Sequence, residues 1–336
     1  MPSRKKNIPK ASQALPWLKE HGELDLAIGK VVDAFYKDRL QPEIPDISVQ
    51  QEANLTREFH KAEQARSPAG VFMRSFAKTA GIDEISMVHI GSMKSRERAM
   101  IKLSDPSRNL KDLGRGRIYL NNTKDYRAAL KLLRGIKTDG TINGVNCRSA
   151  KICTYANGLT YLNYLELPRR SGYMGSINLD LDVDLGKNRH GYFEVQIMPR
   201  EYAETYEKSH MLYELIRKIE PIPSAMRSFE QSSVLFALCT ANEMLFREDA
   251  ARTGFDSVAK EPLKLPDYST VQRLIAILDK IRDAAEYHPQ RKDLEEMPDE
   301  HDSQVAQRLM EAITYAKSSL ANIYFSQNAE PTLDKL

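Results

Sequence analysis

The 336-residue sequence has few cysteines and a single tryptophan. Cys147, Cys153 and Cys239 are odd in number and lack CxxC spacing, which excludes a disulfide-stapled scaffold and a zinc site built from cysteine pairs. No apolar run approaches the roughly 18 to 20 residues that span a bilayer, so no membrane partner is expected. Residues 1–22 are basic without the apolar stretch of a signal peptide. These absences predict a cytoplasmic protein, although an export address need not be hydrophobic.

The sequence also has little net charge, +3 at pH 7, which is too small to indicate a nucleic-acid partner by itself. Its Lys and Arg residues are nevertheless concentrated between positions 94 and 117. Such a local excess suits a polyphosphate or the phosphates of a nucleic acid, and a solvated helix face is the alternative interpretation.

The hydrophobic pattern predicts the α/β (α+β) class, with helices first, then a sheet-containing core, then more helices. The expected divisions are a basic flexible arm (1–22), an N-terminal helical segment (23–84), a core (85–220) and a C-terminal helical region (224–327). In the helical segment, Pro68 is expected to open a helix over 68–80, separate from one over 48–65.

The clearest pattern in the core is the strict alternation of apolar and polar residues over 177–185, which is typical of a strand with one buried face. Residues 192–197 alternate again after a turn, which predicts a hairpin whose polar face carries Asn178, three aspartates, Glu194 and Gln196. A solvated sheet face is the alternative. Two further strands are predicted within 145–167, around a turn at Asn157 and Gly158.

In the C-terminal region an apolar stripe on a predicted helix is expected to pack on the protein's own core or on a second subunit, so an oligomer is possible. The stripe consists of Leu274, Ile275, Ile277, Leu278 and Ile281.

The transfer of a phosphate-containing group requires cations for the polyphosphate, carboxylates for magnesium, and an acceptor site. Lys94 precedes a predicted helix on which Arg98 and Lys102 lie one turn apart. Asp112 and Glu194 begin or lie on strands, and together they are expected to hold one Mg²⁺, which takes one or two protein carboxylates plus substrate oxygens.

The order of these pieces resembles the synthetase domain of the RelA/SpoT family, which transfers pyrophosphate from ATP to the 3′-hydroxyl of GDP or GTP. The resemblance rests on Lys94 with Lys102, on residues 112–118, on Gly172 with Tyr173, and on residues 194–197, and it covers about 130 residues. It implies a nucleotidyltransferase-like mixed sheet, an enzyme of the pyrophosphokinase type, Mg²⁺ as cofactor, and ATP and a purine nucleotide as partners.

The resemblance also implies roles for single residues. Asp112 would bind the metal, and Glu194 would be the catalytic carboxylate that binds metal or helps to deprotonate the attacking hydroxyl. The other residues implied are Lys94, Arg98, Lys102, Arg115 and Arg117 for the ATP phosphates, and Tyr173, Gln196, His210 and Tyr213 for the acceptor, with Tyr173 stacking on its base.

Two departures bear on these expectations. The family's Gly-Tyr-x-Ser-x-His pattern ends at Ile177 here, so the expected His is missing and the acceptor stays open between guanosine nucleotides, adenosine nucleotides and the 3′ end of tRNA. The hydrolase domain of long family members is not expected, because His21 and His60 are the histidines of residues 1–85 and neither precedes an Asp. The alternatives are a growth-arresting toxin that modifies tRNA and a non-catalytic nucleotide sensor on the same fold.

Overall fold

A computed structural model describes residues 21–40, 48–96, 99–100, 110, 112–260, 267–291 and 300–328. Arg98, Lys102 and most of the predicted basic arm lie outside these residues. Within the described ranges no helix combines the length and the apolar character needed to cross a membrane. The protein is a mixed α/β structure in which an open six-stranded sheet packs with helices.

The elements are numbered in chain order. The helices in the described residues are α1 (His21–Leu40), α2 (Val49–Ala80), α3 (Thr123–Arg134), α4 (Tyr202–Ile219), α5 (Phe229–Thr253), α6 (Tyr268–Arg291) and α7 (Glu300–Asn328). The strands are β1 (Val88–Ile90), β2 (Gly114–Leu120), β3 (Ala150–Ile152), β4 (Leu162–Asn163), β5 (Ile177–Asp184) and β6 (His190–Pro199).

The strand order in the sheet is β1-β2-β6-β5-β3, with β4 also paired to β5. β2 and β6 are parallel, and the other pairs are antiparallel. The predicted β5–β6 hairpin is confirmed, and it places Asp180 opposite Glu194 and Asn178 opposite Gln196. The turn at Gly158 is also confirmed, but β3 and β4 each pair with β5 and not with each other.

The two faces of the sheet differ as the alternation predicts. Ile177, Leu179, Leu181 and Val183 are buried on one face, where α2 packs, whereas the polar residues of β5 are half-buried or exposed on the other. Glycines in β2 allow the helix to approach closely: a Cβ added at Gly116 would lie 2.7 Å from the side chain of Met73. The second face is therefore left to polar side chains.

Helix α2 is continuous, so the prediction of separate helices over 48–65 and 68–80 is wrong. Pro68 lies inside the helix, where it lacks the N–H for one backbone hydrogen bond and costs about 3 kcal/mol. Phe72, Met73 and their apolar neighbours continue the buried stripe past the proline, and we attribute the continuity of the helix to this burial against the sheet.

The helices at the two ends of the chain form a second hydrophobic cluster. α1 packs there with α4, α5, α6 and α7, while α2 belongs to the cluster under the sheet. The two helices of the expected segment 23–84 therefore pack in different places. Leu274, Ile277, Leu278 and Ile281 are buried in the second cluster, which confirms core packing for most of the apolar stripe on α6.

Candidate functional site

An open cavity of about 370 Å³ lies between the end of β1 and the start of β2. Residues 91–95 run beside β2 because the backbone N–H of Gly91 donates to Arg115 (2.8 Å) and that of Lys94 donates to Leu113 (2.9 Å). A Cβ at position 91 would come within 3.0 Å of the Arg115 carbonyl oxygen, so glycine allows this close approach. The charged side chains that line the cavity are Lys94, Asp112, Arg115 and Arg117, and His89 lines it as well.

Lys94 and Asp112, both predicted site residues, form an ion pair in this cavity. The Lys94 Nζ lies 2.8 Å from Asp112 Oδ2, and about a quarter of each side chain is exposed. Because the aspartate carries one negative charge among two arginines and a lysine, the cavity retains an excess of positive charge that suits an anion.

Arg115 connects the cavity to Glu194 on the polar face of the sheet. The two residues are register partners in the parallel β2–β6 pair, and Arg115 Nε and Nη2 lie 3.2 and 3.0 Å from Glu194 Oε2. Burial alone would lower the pKa of Arg115, but the negative charges of Glu194 and Asp112 outweigh it and raise the pKa. Asp112 and Glu194, the two predicted metal ligands, thus both raise the pKa of Arg115.

The second oxygen of Glu194 accepts from two side-chain amides. Asn178 Nδ2 donates to Oε1 at 3.2 Å and Gln196 Nε2 donates at 3.1 Å. Gln196 Oε1 in turn accepts from Arg117 Nε at 3.4 Å, and the Arg117 guanidinium lies 4.6 Å from the centre of the Tyr206 ring. The carboxylate is consequently oriented from both sides by residues of three neighbouring strands.

Tyr173 lies beside this network, partly buried among other aromatic rings. Its ring packs on the backbone of Gly175, where an added Cβ would be 2.7 Å away. The rings of Tyr164, Tyr206 and Phe246 lie edge-on to it, with centroids 5.8, 6.0 and 5.2 Å away. The stacking of an acceptor base on this ring stays a prediction.

The Tyr173 hydroxyl is 2.8 Å from Ser176 Oγ. Burial raises the pKa of Tyr173, so the hydroxyl keeps its proton at neutral pH.

His210 and Tyr213, the other predicted acceptor contacts, lie on α4. His210 Nε2 is 3.6 Å from Glu214 Oε1, and the Arg217 guanidinium is 5.8 Å from the Tyr213 ring centre. Tyr164 and Tyr213 are among the groups that raise the pKa of Arg169, whose guanidinium lies over the Tyr164 ring. The ion pair of His210 and the cation–ring contact of Tyr213 are thus with neighbours on α4.

Sequence reasoning did not assign a role to several side chains that the fold brings to the site. Two of them could have been found from the sequence. Asn178 lies on the polar face that the alternation of β5 predicts, and Tyr206 lies one helical turn before the predicted site residue His210 on α4. The others are scattered along the chain, and only the folded sheet brings them together. The set is His89, Ser176, Asn178 and Tyr206.

The carboxylates of this site suit a magnesium ion that is also coordinated by a substrate, and not one held by protein side chains alone. In the part of the chain that the structure describes, no three His, Cys, Asp or Glu side chains converge as ligands for a metal ion. Mg²⁺ is commonly held by one or two carboxylates together with substrate phosphates and water. The carboxylates that would hold such an ion are those of Glu194, its cross-strand neighbour Asp180, and Asp112 at the cavity, with Asp112 paired to Lys94 and Glu194 to Arg115 in this structure. The donor set suits an ion that arrives with a polyphosphate.

The fold and the site define a mixed α/β protein with a cation-lined cavity next to an oriented glutamate. No protein-family model matches the chain, and a comparison with curated proteins finds no match. A function must therefore be inferred from the chemistry of the site.

Proposed function

We propose that the protein is a pyrophosphokinase of the RelA/SpoT synthetase type, which transfers pyrophosphate from ATP to the 3′-hydroxyl of a purine nucleotide. The observation that carries this proposal is that Arg115 both lines the cationic cavity and forms an ion pair with Glu194. A polyphosphate in the cavity would lie next to the carboxylate face of the sheet, which is the juxtaposition that the reaction requires.

The cavity residues would bind the donor. Lys94, Arg115 and Arg117 contribute three cations, against the carboxylate of Asp112 in the cavity and that of Glu194, which pairs with Arg115. The volume of about 370 Å³ lies within the range of small-molecule sites. Arginine forks match phosphate oxygens in pairs, whereas the lysine acts as a point charge. Together they would offset the negative charge that spreads over the transferred phosphoryl oxygens.

In the proposed reaction the acceptor 3′-oxygen attacks the β-phosphorus of ATP. The new O–Pβ bond forms, the bond between Pβ and the oxygen that bridges to the α-phosphorus breaks, AMP leaves, and the hydroxyl proton passes to solvent. A magnesium ion bound with the ATP would neutralise phosphate charge. Phosphoryl transfer depends more on positioning than on a strong base. Glu194, whose two oxygens already accept from Arg115, Asn178 and Gln196, would orient the acceptor hydroxyl.

The acceptor is the variable that an assay must determine. Purified protein would be incubated with ATP and Mg²⁺ and, separately, with GDP, GTP, ADP, a second equivalent of ATP, and bulk tRNA, followed by chromatography. AMP release together with a new pyrophosphorylated nucleotide supports the proposal and names the acceptor. Labelled tRNA would move the function to an RNA-modifying toxin. Nucleotide binding without any product would indicate a sensor.

A further inference from the structure

A directed chain of hydrogen bonds runs from Tyr173 to Glu194. Ser176 Oγ bonds to Asn178 Oδ1 and Tyr173, and Asn178 Nδ2 donates to Glu194 Oε1 at 3.2 Å. The direction is fixed by chemistry. The Asn178 carbonyl oxygen can only accept, so Ser176 must donate its single proton there, and the Tyr173 hydroxyl must donate to Ser176.

The surroundings hold this chain in place. Ser176 is fully buried, so water does not compete for its bonds. The turn before Tyr173 is fixed against α5, because Asn242 Nδ2 donates to the carbonyl of Ser171 at 2.8 Å. Gly172 has a φ of +79° there, and an added Cβ would lie 2.1 Å from the carbonyl oxygen of Cys239. The position of the Tyr173 hydroxyl is thereby set by the backbone and by α5.

We infer that Tyr173 is a positioning residue for Glu194: its hydroxyl fixes the Ser176 rotor, which fixes the Asn178 amide, which in turn fixes one carboxylate oxygen. This inference rests on the proposed function for its effect on turnover, but the chain of bonds is independent of it. Stacking of a base on Tyr173 is the competing role. The two roles differ in what the hydroxyl does, because a stacking platform needs the ring alone.

The Tyr173→Phe variant separates the two roles, since it keeps the ring and removes the donor. For positioning we expect kcat to fall about 10- to 100-fold with the KM values for ATP and acceptor within about twofold of wild type, because misplacement of a reacting group reduces the rate strongly. Ser176→Ala should have the same effect. Wild-type kcat in Tyr173→Phe would overturn the inference.

Tyr202→Phe is the matched control. Tyr202 is a buried tyrosine that, like Tyr173, contacts Phe246, with ring centroids 5.8 Å apart. Removal of its hydroxyl tests for nonspecific loosening of the same aromatic cluster. We expect this variant to keep the wild-type kcat. If kcat fell equally in Tyr202→Phe, loosened packing would explain the effect of Tyr173→Phe, and the positioning role would be contradicted.

A second readout does not require activity. In protein labelled with ¹⁵N at asparagine, the side-chain amide signals of Asn178 are assigned by their loss in Asn178→Asp. These signals should shift in Tyr173→Phe and Ser176→Ala and stay in place in Tyr202→Phe. If the wild type makes no product, the proposed function fails while this measurement still decides the hydrogen-bond chain. Unmoved Asn178 signals in Tyr173→Phe would overturn it.

Discussion

Arg115 and Glu194 lie opposite each other in the parallel β2–β6 pair, and the Arg115 guanidinium donates to Glu194 Oε2 at 3.2 Å from Nε and 3.0 Å from Nη2. The side chain of Glu194 is only 12% exposed, so this ion pair is largely shielded from water. Arg115 also lines the cavity. One guanidinium thus belongs both to the cationic cavity and to the carboxylate network.

Replacement of Arg115 tests this link. Arg115→Ala leaves the Glu194 carboxylate without its cation, and we expect the free energy of unfolding to fall by about 1–2 kcal/mol, allowing for the partial exposure of the arginine. Urea denaturation would measure it. In the double variant Arg115→Ala/Glu194→Gln the loss should be smaller than the sum of the single losses. Strict additivity would mean that the pair is not coupled.

Glu194→Gln should abolish product formation and leave the far-ultraviolet circular dichroism unchanged, because the amide keeps the shape of the side chain but removes its negative charge. Asp182→Asn is the matched control: Asp182, on β5, lies on the same face of the sheet as Glu194 and pairs with the exposed His190 at 2.7 Å. We expect this variant to keep wild-type turnover. Equal losses of turnover in both variants would mean that Glu194 has no role beyond its contribution to the negative charge of this face.

The turn at Gly172 should be intolerant of a side chain. Gly172→Ala places a Cβ 2.1 Å from the backbone of α5 at a φ of +79°, and we expect a loss of about 3 kcal/mol or more in the free energy of unfolding. Gly158→Ala is the control, since its φ is +80° but nothing lies within 4 Å of the added Cβ. Its loss should be about 1 kcal/mol. Thermal unfolding of the two variants compares clash plus strain with strain alone.

Glu166 should make stability depend on pH. Burial would raise its pKa, but the Lys260 ammonium at 2.5 Å and the Tyr126 hydroxyl at 2.7 Å outweigh burial and lower the pKa. A lowered folded-state pKa contributes stability above the unfolded value, near 4.3, which is lost as the pH falls through the folded value.

We therefore expect the free energy of unfolding of Glu166→Gln to be about 1–3 kcal/mol lower than that of wild type at neutral pH. The difference should shrink below about pH 4. Urea titrations at several pH values would measure it. The exposed Glu220→Gln is the control and should match wild type throughout. A difference for Glu166→Gln that stays constant down to acid pH would contradict the role of the carboxylate charge.

The local patterns of the sequence predicted the hairpin well. The alternation in β5 and β6 reflects burial against α2 on one side, and burial is what a two-residue period records, so the face that carries Asn178, Glu194 and Gln196 could be predicted. The continuity of α2 could not, because the proline rule is local and the burial of Phe72 and Met73 that outweighs it is tertiary.

Part of the candidate site could also be predicted, because several of its residues are close together in the sequence. Lys94, Asp112, Arg115 and Arg117 are close in sequence and share the cavity. The surroundings of Tyr173 were not predictable, because they depend on contacts with Phe246 from α5, more than 70 residues away. The register that joins Arg115 to Glu194 depends on a parallel pairing between strands that are distant in the sequence, and no local pattern specifies such a pairing.

The most direct test of the pyrophosphokinase assignment is ³¹P NMR of wild-type protein with ATP, Mg²⁺ and each purine nucleotide acceptor. We expect stoichiometric AMP and a new pair of doublets from a pyrophosphate coupled to a ribose 3′-proton, both absent with Glu194→Gln. Hydrolysis of ATP to ADP and phosphate, or an unchanged ATP spectrum with every acceptor, would contradict the account.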